Sequence, residues 1–298
     1  QLPHIAPRLH HRRSKMTSLL IIAHEAHDTL SLHLPALLQQ QGTDYEVVVV
    51  DMNSEDNTIE LLNSLEELYP LLKHLSLPLT ARDINRERLA RHLGMRASNY
   101  NRVIVIKAGS ILPSPDWLSA IESRWRADCE IMLIPIKRVR ARRLGDYFTA
   151  GHETWRNRLY HKQALNHRLF RSGSAIVGVD KTVFLTDNPP ARHLALSYGT
   201  IDIFVAHSSN RYNTIVLDEP SLIPTEDAIS SPIFWQQSRL FDVETRQHLP
   251  KRFMRHITYL FHCLCTIHKG SIPYCLMDIK DHLRWRFTSK KTFMKRHY

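Results

Sequence analysis

A carboxylate ends the apolar run Val47-Val48-Val49-Val50, and the residues that follow it, Asp51-Met52-Asn53-Ser54-Glu55-Asp56-Asn57-Thr58, alternate hydrogen-bonding side chains through what must be a turn. Ser54, Asp56 and Thr58 suit turn and first helical positions, where short oxygen-bearing side chains satisfy backbone N–H groups. Asp51, at a strand end, is placed either as a turn acid or as an acceptor for the N–H and O–H groups of a ligand. A second apolar run, Val103-Ile104-Val105-Ile106, ends on Lys107, a cation instead of an acid. Other chemistries have little support. The 19 histidines are scattered, and His24-Glu25-Ala26-His27 is one residue short of the H-E-x-x-H zinc motif. None of the four cysteines, Cys129, Cys263, Cys265 and Cys275, falls in a CxxC pair or another spacing typical of structural zinc, and a reducing compartment fits them better than a disulfide framework. There is no G-x-S-x-G elbow and no glycine loop to cradle phosphate, which leaves a hydrolase or kinase without a nucleophile or a phosphate site.

The elements that must position Asp51 and Lys107 can be read from periodicity. Leu19-Leu20-Ile21-Ile22-Ala23, Val47 to Val50 and Val103 to Ile106 are short continuous runs rich in β-branched residues, as parallel strands covered on both faces require. Helical patterns lie between them. Asp28 is expected to cap a helix through Gln41 that carries Leu30, Leu34, Leu37 and Leu38, and Asp56 or Ser54 a second with Ile59, Leu62, Leu65 and Tyr69. A third, beginning near Asp83 and ending near Tyr100, carries Leu89, Leu93 and Ala97. This is a βαβαβ pattern, and such sheets bind ligands beyond the carboxyl ends of their strands, where Asp51 and Lys107 fall.

With 298 residues, 43% of them hydrophobic, the chain can bury one sizeable core or two modest ones, and one main domain with appendages is expected. The net charge of +11, from 40 Lys and Arg against 29 Asp and Glu, points to an anionic partner. The chain starts at Gln1, and a processed or trimmed N-terminus is one expectation; its basic tail, residues 1–15, reads as a solvated segment or as the cytoplasmic flank of a removed membrane helix. No uninterrupted apolar stretch is long enough to span a bilayer. The nearest, Phe253 to Ile279, is broken by Arg255, His256, His262, His268, Lys269 and Asp278 and fits a buried or interfacial helix pair. From Lys137 to Arg171, Arg138, Arg140, Arg142, Arg143, Arg156, Arg158 and Arg168 are interleaved with Tyr147, Phe148, Trp155 and Tyr160. That stretch reads as solvated surface, as a contact with acidic lipid headgroups or lipid-linked phosphate, or, least favoured, as a nucleic-acid surface.

The segment Ser18 to Leu118 resembles the nucleotide-binding half of a family-2 glycosyltransferase. His24-Glu25-Ala26-His27-Asp28-Thr29-Leu30 is similar to its N-E-x-x-x-x-L turn, and Asp51, Ser54, Asp56 and Thr58 match its D-x-x-S-x-D-x-T at all four named positions. Gly199-Thr200-Ile201-Asp202-Ile203-Phe204-Val205 resembles its G-D-D-D-L-F-V stretch, and Gln236-Gln237-Ser238-Arg239-Leu240 its Q-x-x-R-W element, with Trp235 adjacent. The implied fold is α/β of GT-A type, a mixed, mainly parallel sheet flanked by helices, over residues 16–245, followed by a basic, helical region at 246–298 that is expected to be membrane-peripheral.

The resemblance also implies roles. Asp51 would hold the nucleoside of a donor, with Glu25, Arg88 and Lys107 completing the donor site; Asp202 would take the proton from the acceptor hydroxyl; Gln236, Arg239 and Trp235 would line the loop over acceptor and product. Counting back from Pro115-Asp116-Trp117-Leu118, the family's D-x-D pair falls on Lys107-Ala108-Gly109, so both acids that would bind magnesium or manganese are replaced, and no metal ligand is assigned. Two functions are implied. One is transfer of a sugar from a nucleotide-sugar donor, of uridine diphosphate type, to a lipid- or glycan-linked acceptor with altered metal dependence. The other is a catalytically inactive relative that binds a nucleotide or a partner glycosyltransferase as a scaffold. The expected location is the cytoplasmic face of a membrane, held peripherally or by an anchor preceding Gln1.

Overall fold

The computed structural model describes residues 16–77, 85–135, 176–187 and 211–217, together with Ile201, Phe204, Val205, Ser208, Ile257, Phe261 and Leu276. In chain order the elements are β1 (Thr17–Ala23), α1 (His27–Leu37), β2 (Tyr45–Asp51), α2 (Thr58–Leu68), β3 (Leu72–Ser76), α3 (Arg86–Ala97), β4 (Arg102–Lys107), α4 (Trp117–Arg124), β5 (Ile131–Ile134), β6 (Ile176–Asp180), α5 (Lys181–Asp187) and β7 (Thr214–Val216). The strands form one seven-stranded sheet in the order β3-β2-β1-β4-β6-β5-β7. β3, β2, β1 and β4 run parallel, and β6 inserts antiparallel between β4 and β5.

Alternation along the central strands divides the core in two, because successive side chains point to opposite faces. Leu19, Ile21, Val47, Val49, Ile104 and Ile106 meet Leu30, Leu34 and Leu37 of α1, Leu62 of α2 and Trp117, Leu118 and Ile121 of α4. Leu20, Val48, Val50 and Val103 meet Ala90 and Met95 of α3, Phe184 of α5 and the helical residues Phe204 and Val205. α3 lies close to the sheet because its helical face is cut away at Gly94, where an added Cβ would fall 2.3 Å from Leu20 Cδ1 and 3.0 Å from Val50 Cγ2.

The three expected strands and three expected helices are present, with shifted ends. The first helix stops at Leu37, not Gln41, with Pro35 in its last turn, and its N-cap is Ala26; Asp28 sits inside the first turn and does not cap it. The third starts at Arg86 and ends at Ala97, and Asn85 is its cap, its side chain accepting from the Arg88 amide at 3.1 Å. β3 breaks the simple βαβαβ expectation. It is an edge strand on β2, and its sequence Leu-Lys-His-Leu-Ser buries only Leu72 fully.

The end of the sheet opposite the strand carboxyl ends is tied by buried acids. Glu46 accepts from Ser18 Oγ at 2.6 Å, from the Asn99 amide at 2.5 Å and from Asn99 Nδ2 and Lys73 Nζ at 2.9 Å each. Glu122 binds the hydroxyls of Thr17 and Thr43.

Candidate functional site

Because β1, β2 and β4 are parallel, their carboxyl ends share one edge of the sheet. Asp51 is the last residue of β2, level with Ala23 of β1, and Lys107 is the last residue of β4, level with Ile22. Asp51 is wholly buried. Its carboxylate accepts from the Ser54 hydroxyl at 2.5 Å, through Oδ1, and from the Ser54 amide at 3.1 Å through Oδ2. The Ser54 oxygen in turn accepts the Glu25 amide at 2.9 Å. A carboxylate offers about four acceptor sites, so this arrangement fixes the rotamer of Asp51 and still leaves capacity on Oδ2 for a ligand N–H or O–H. The turn that brings Ser54 back to Asp51 needs Asn53 in the left-handed region, at φ 57. Asn tolerates that conformation better than most residues.

Ser54, Asp56 and Thr58 act at longer range than their positions around the start of α2 predict. Ser54 Oγ takes the amide of Glu25, Thr58 Oγ1 the amide of Ala26 at 3.1 Å and Asp56 Oδ2 the amide of His27 at 3.1 Å. These are successive N–H groups at the start of α1, whose N-cap residue, Ala26, supplies no side-chain bond. Only Asp56 also serves α2, accepting the Thr58 amide at 3.1 Å. The Glu25 carboxylate returns the favour by accepting the Glu55 amide at 2.7 Å. The loops after β1 and β2 are therefore interlocked. The N-terminus of α1, an inviting place for a phosphate, is filled by the chain's own Asp56. The Thr58 hydroxyl, outweighing desolvation, together with the His27 and Thr58 amides, holds the Asp56 carboxyl below the usual aspartate value.

The expected donor residues separate into groups. Asp51 and Glu25 come together through Ser54. Lys107 stands exposed on the far side of β1. Arg88 lies in α3 with its side chain fully buried, so it faces the protein interior. Asp202, Trp235, Gln236 and Arg239, and the basic stretch from 137 to 171, lie outside the described residues. Beside Asp202, Phe204 and Val205 are helical and buried, and the Phe204 ring packs on Phe184 with centroids 5.1 Å apart. That contact places Phe204 on the α3 face of the sheet.

Arg86 was not expected here. Its guanidinium donates to the Met52 carbonyl, directly after Asp51. The sequence pattern does not mark it, since it starts this helix near Asp83 and leaves Arg86 within the first turn.

After Lys107 the chain makes a tight turn through Ala108 and Gly109, closed by the Ser110 amide on the Lys107 carbonyl at 3.0 Å. Lysine and glycine at the D-x-D positions supply no oxygen ligand, and among the described residues no group of three or more His, Cys, Asp or Glu is placed to hold a metal ion. These residues do not fit a divalent cation. Cys129 offers no nucleophile, since burial pushes its thiol up to about 11.

The model of glycosyl transferase family 2 matches residues 18–176, more than half of the chain. The chain belongs to glycosyl transferase family 2. Its sheet order and flanking helices are those of the GT-A fold, and solved structures agree. S. aureus TarS 1-349 superposes with a TM-score of 0.51 at 16% identity, covering 77% of this chain and 65% of that one. The complex of the same TarS segment with UDP-GlcNAc gives 0.50 at 15% identity, over 77% and 66%. Against S. aureus TarS of greater length the coverage is 77% and 39%, with a TM-score of 0.52. At these identities the likeness shows the fold alone, and this family-2 chain spans about two thirds of TarS 1-349. No curated protein matches the sequence. No helix among the described residues is long and apolar enough to cross a membrane.

Proposed function

We propose that this family-2 chain transfers a sugar from a nucleotide-sugar donor of uridine diphosphate type to a lipid- or glycan-linked hydroxyl, with the Lys107 ammonium in the place of metal charge. The observation that carries the reading is the pairing, across β1, of a pre-oriented carboxylate at Asp51 with a cation at Lys107. Asp51 accepts from the base or ribose, and Lys107 faces the diphosphate as a fixed positive charge. The acceptor oxygen forms its bond to the anomeric carbon while the bond from that carbon to the diphosphate oxygen breaks. The proton of the acceptor goes to Asp202, and the negative charge leaves with the diphosphate. Gln236, Arg239 and Trp235 close over the acceptor side, and the basic stretch from 137 to 171 meets a lipid-linked phosphate or an acidic membrane surface. The relatives in the structure comparison include one solved with UDP and one with UDP-GlcNAc, which supports the donor class.

The replacement of both D-x-D acids favours a second reading, a nucleotide-binding scaffold for a partner glycosyltransferase. The experiment is a turnover assay in chelator, with UDP-GlcNAc and other uridine diphosphate sugars and a membrane-lipid extract as acceptor. Release of uridine diphosphate by the wild type, abolished in Asp51→Asn, supports the transferase. Binding of uridine diphosphate without release under any acceptor or metal condition selects the scaffold, and neither binding nor release rejects both.

A further inference from the structure

Ser110 sets itself apart from every other buried serine of the described residues. Ser18 donates to Glu46 at 2.6 Å, Ser98 to the Gly94 carbonyl at 2.8 Å and Ser208 to Asp187 at 3.0 Å. Ser110 is 1% exposed, and its hydroxyl has no hydrogen-bond partner. A hydroxyl in that state has given up water and gained nothing, which weakens a fold unless something else supplies the acceptor. Natural interiors satisfy such groups by preference, so one left open calls for a specific cause. Its position supplies one. The turn from Lys107 to Ser110 is closed by the Ser110 amide on the Lys107 carbonyl, so the serine sits at the carboxyl end of β4, beside the exposed lysine and at the sheet edge that also carries Asp51.

The neighbourhood selects the chemistry of the missing partner. A hydroxyl that donates, in the same turn as a lysine and with no cluster of acids able to hold a metal among the described residues, suits an anionic oxygen. We infer that the Ser110 hydroxyl donates to a phosphate oxygen of the bound nucleoside diphosphate, so that Lys107 and Ser110 together replace the lost acid pair as the phosphate contact. This rests on the donor reading above and deepens it, because it names which part of the ligand this turn holds. Ala108 and Gly109, with no polar side chain, take no part beyond forming the turn.

The test compares uridine with uridine diphosphate, using ligand-detected NMR titration of the wild type and Ser110→Ala, with thermal unfolding of both proteins. Loss of one hydrogen bond to a charged group is expected to weaken uridine diphosphate binding about tenfold. Uridine, which reaches Asp51 but carries no phosphate, is expected to bind both proteins alike, and the variant's unfolding temperature is expected to stay level or rise. Unchanged affinity for uridine diphosphate in the variant overturns the inference and leaves the donor reading standing. Equal weakening of both ligands with a lower unfolding temperature overturns it too, since Ser110 is then a packing residue. A wild type that binds neither ligand removes the donor reading and this inference with it.

Discussion

Asp51 and Lys107 end the two strands that flank β1, one residue out of step, with Asp51 level with Ala23 and Lys107 level with Ile22. Their backbones are separated by two strand spacings, roughly 10 Å. One end of this stretch of the sheet edge is a buried carboxylate with its rotamer fixed by Ser54, the other an exposed cation. That polarity suits a ligand with hydrogen-bond donors at one end and phosphates at the other, and it does so without a metal-binding acid.

Asp51→Asn separates recognition from folding. The asparagine oxygen still accepts from the Ser54 hydroxyl, while the new amide, in the place of Oδ2, gives up the bond from the Ser54 N–H and presents a donor where a base N–H or ribose hydroxyl needs an acceptor. The expected result is loss of uridine affinity by about tenfold or more with only a modest fall in unfolding temperature, from the one Ser54 N–H bond lost. NMR titration with uridine alongside differential scanning calorimetry checks both halves; intact uridine binding would remove Asp51 from the nucleoside.

Much of this fold was legible because its central strands are buried on both faces. Runs such as Val47 to Val50 and Val103 to Ile106 have no polar face to disguise them, and the helices between carry one apolar stripe each. β3 was not legible. As an edge strand it keeps Lys73 and His74 half exposed, and five residues of mixed polarity look like the loop they replace. β6, too, gave no warning of its direction, since antiparallel insertion beside β4 is decided by tertiary pairing. The motif acids were found, but the partners of Ser54, Asp56 and Thr58 were not. Capping from one loop to the helix of another is a contact between residues about 30 positions apart, and local spacing carries no trace of it. Ser110 could only be singled out once the satisfied serines were known.

Gly94→Ala tests the seating of α3. Alanine normally stabilises a helix interior by about 1 kcal/mol relative to glycine. Here the new methyl meets Leu20 at 2.3 Å and Val50 at 3.0 Å, and overpacking of that kind costs typically about 1–3 kcal/mol. The net expectation is destabilisation of about 1–2 kcal/mol by urea unfolding. A stabilised variant would mean that α3 stands farther from β1 and β2 than described.

Glu46 makes the fold sensitive to acid. Burial pushes its carboxyl up, but the hydrogen bonds from Ser18, Lys73 and Asn99 and the charge of Lys73 outweigh that and hold it below its ordinary value of 4.5. A carboxyl whose folded value is depressed contributes stability that is present above 4.5 and is lost as the pH falls through the lower folded value. Glu46→Gln is therefore expected to cost about 1–3 kcal/mol at neutral pH and to flatten the decline of stability below pH 4.5. Urea unfolding of both proteins from neutral to acid pH is the check, and parallel curves would show that another group governs the acid limb.

The claim that Lys107 replaces the metal is tested most directly by calorimetric titration with uridine diphosphate, in chelator and in manganese, of the wild type and Lys107→Ala. The prediction is one affinity for the wild type in both conditions and a loss of about tenfold or more in the variant. Binding that requires manganese, or a variant that binds as tightly as the wild type, would contradict it.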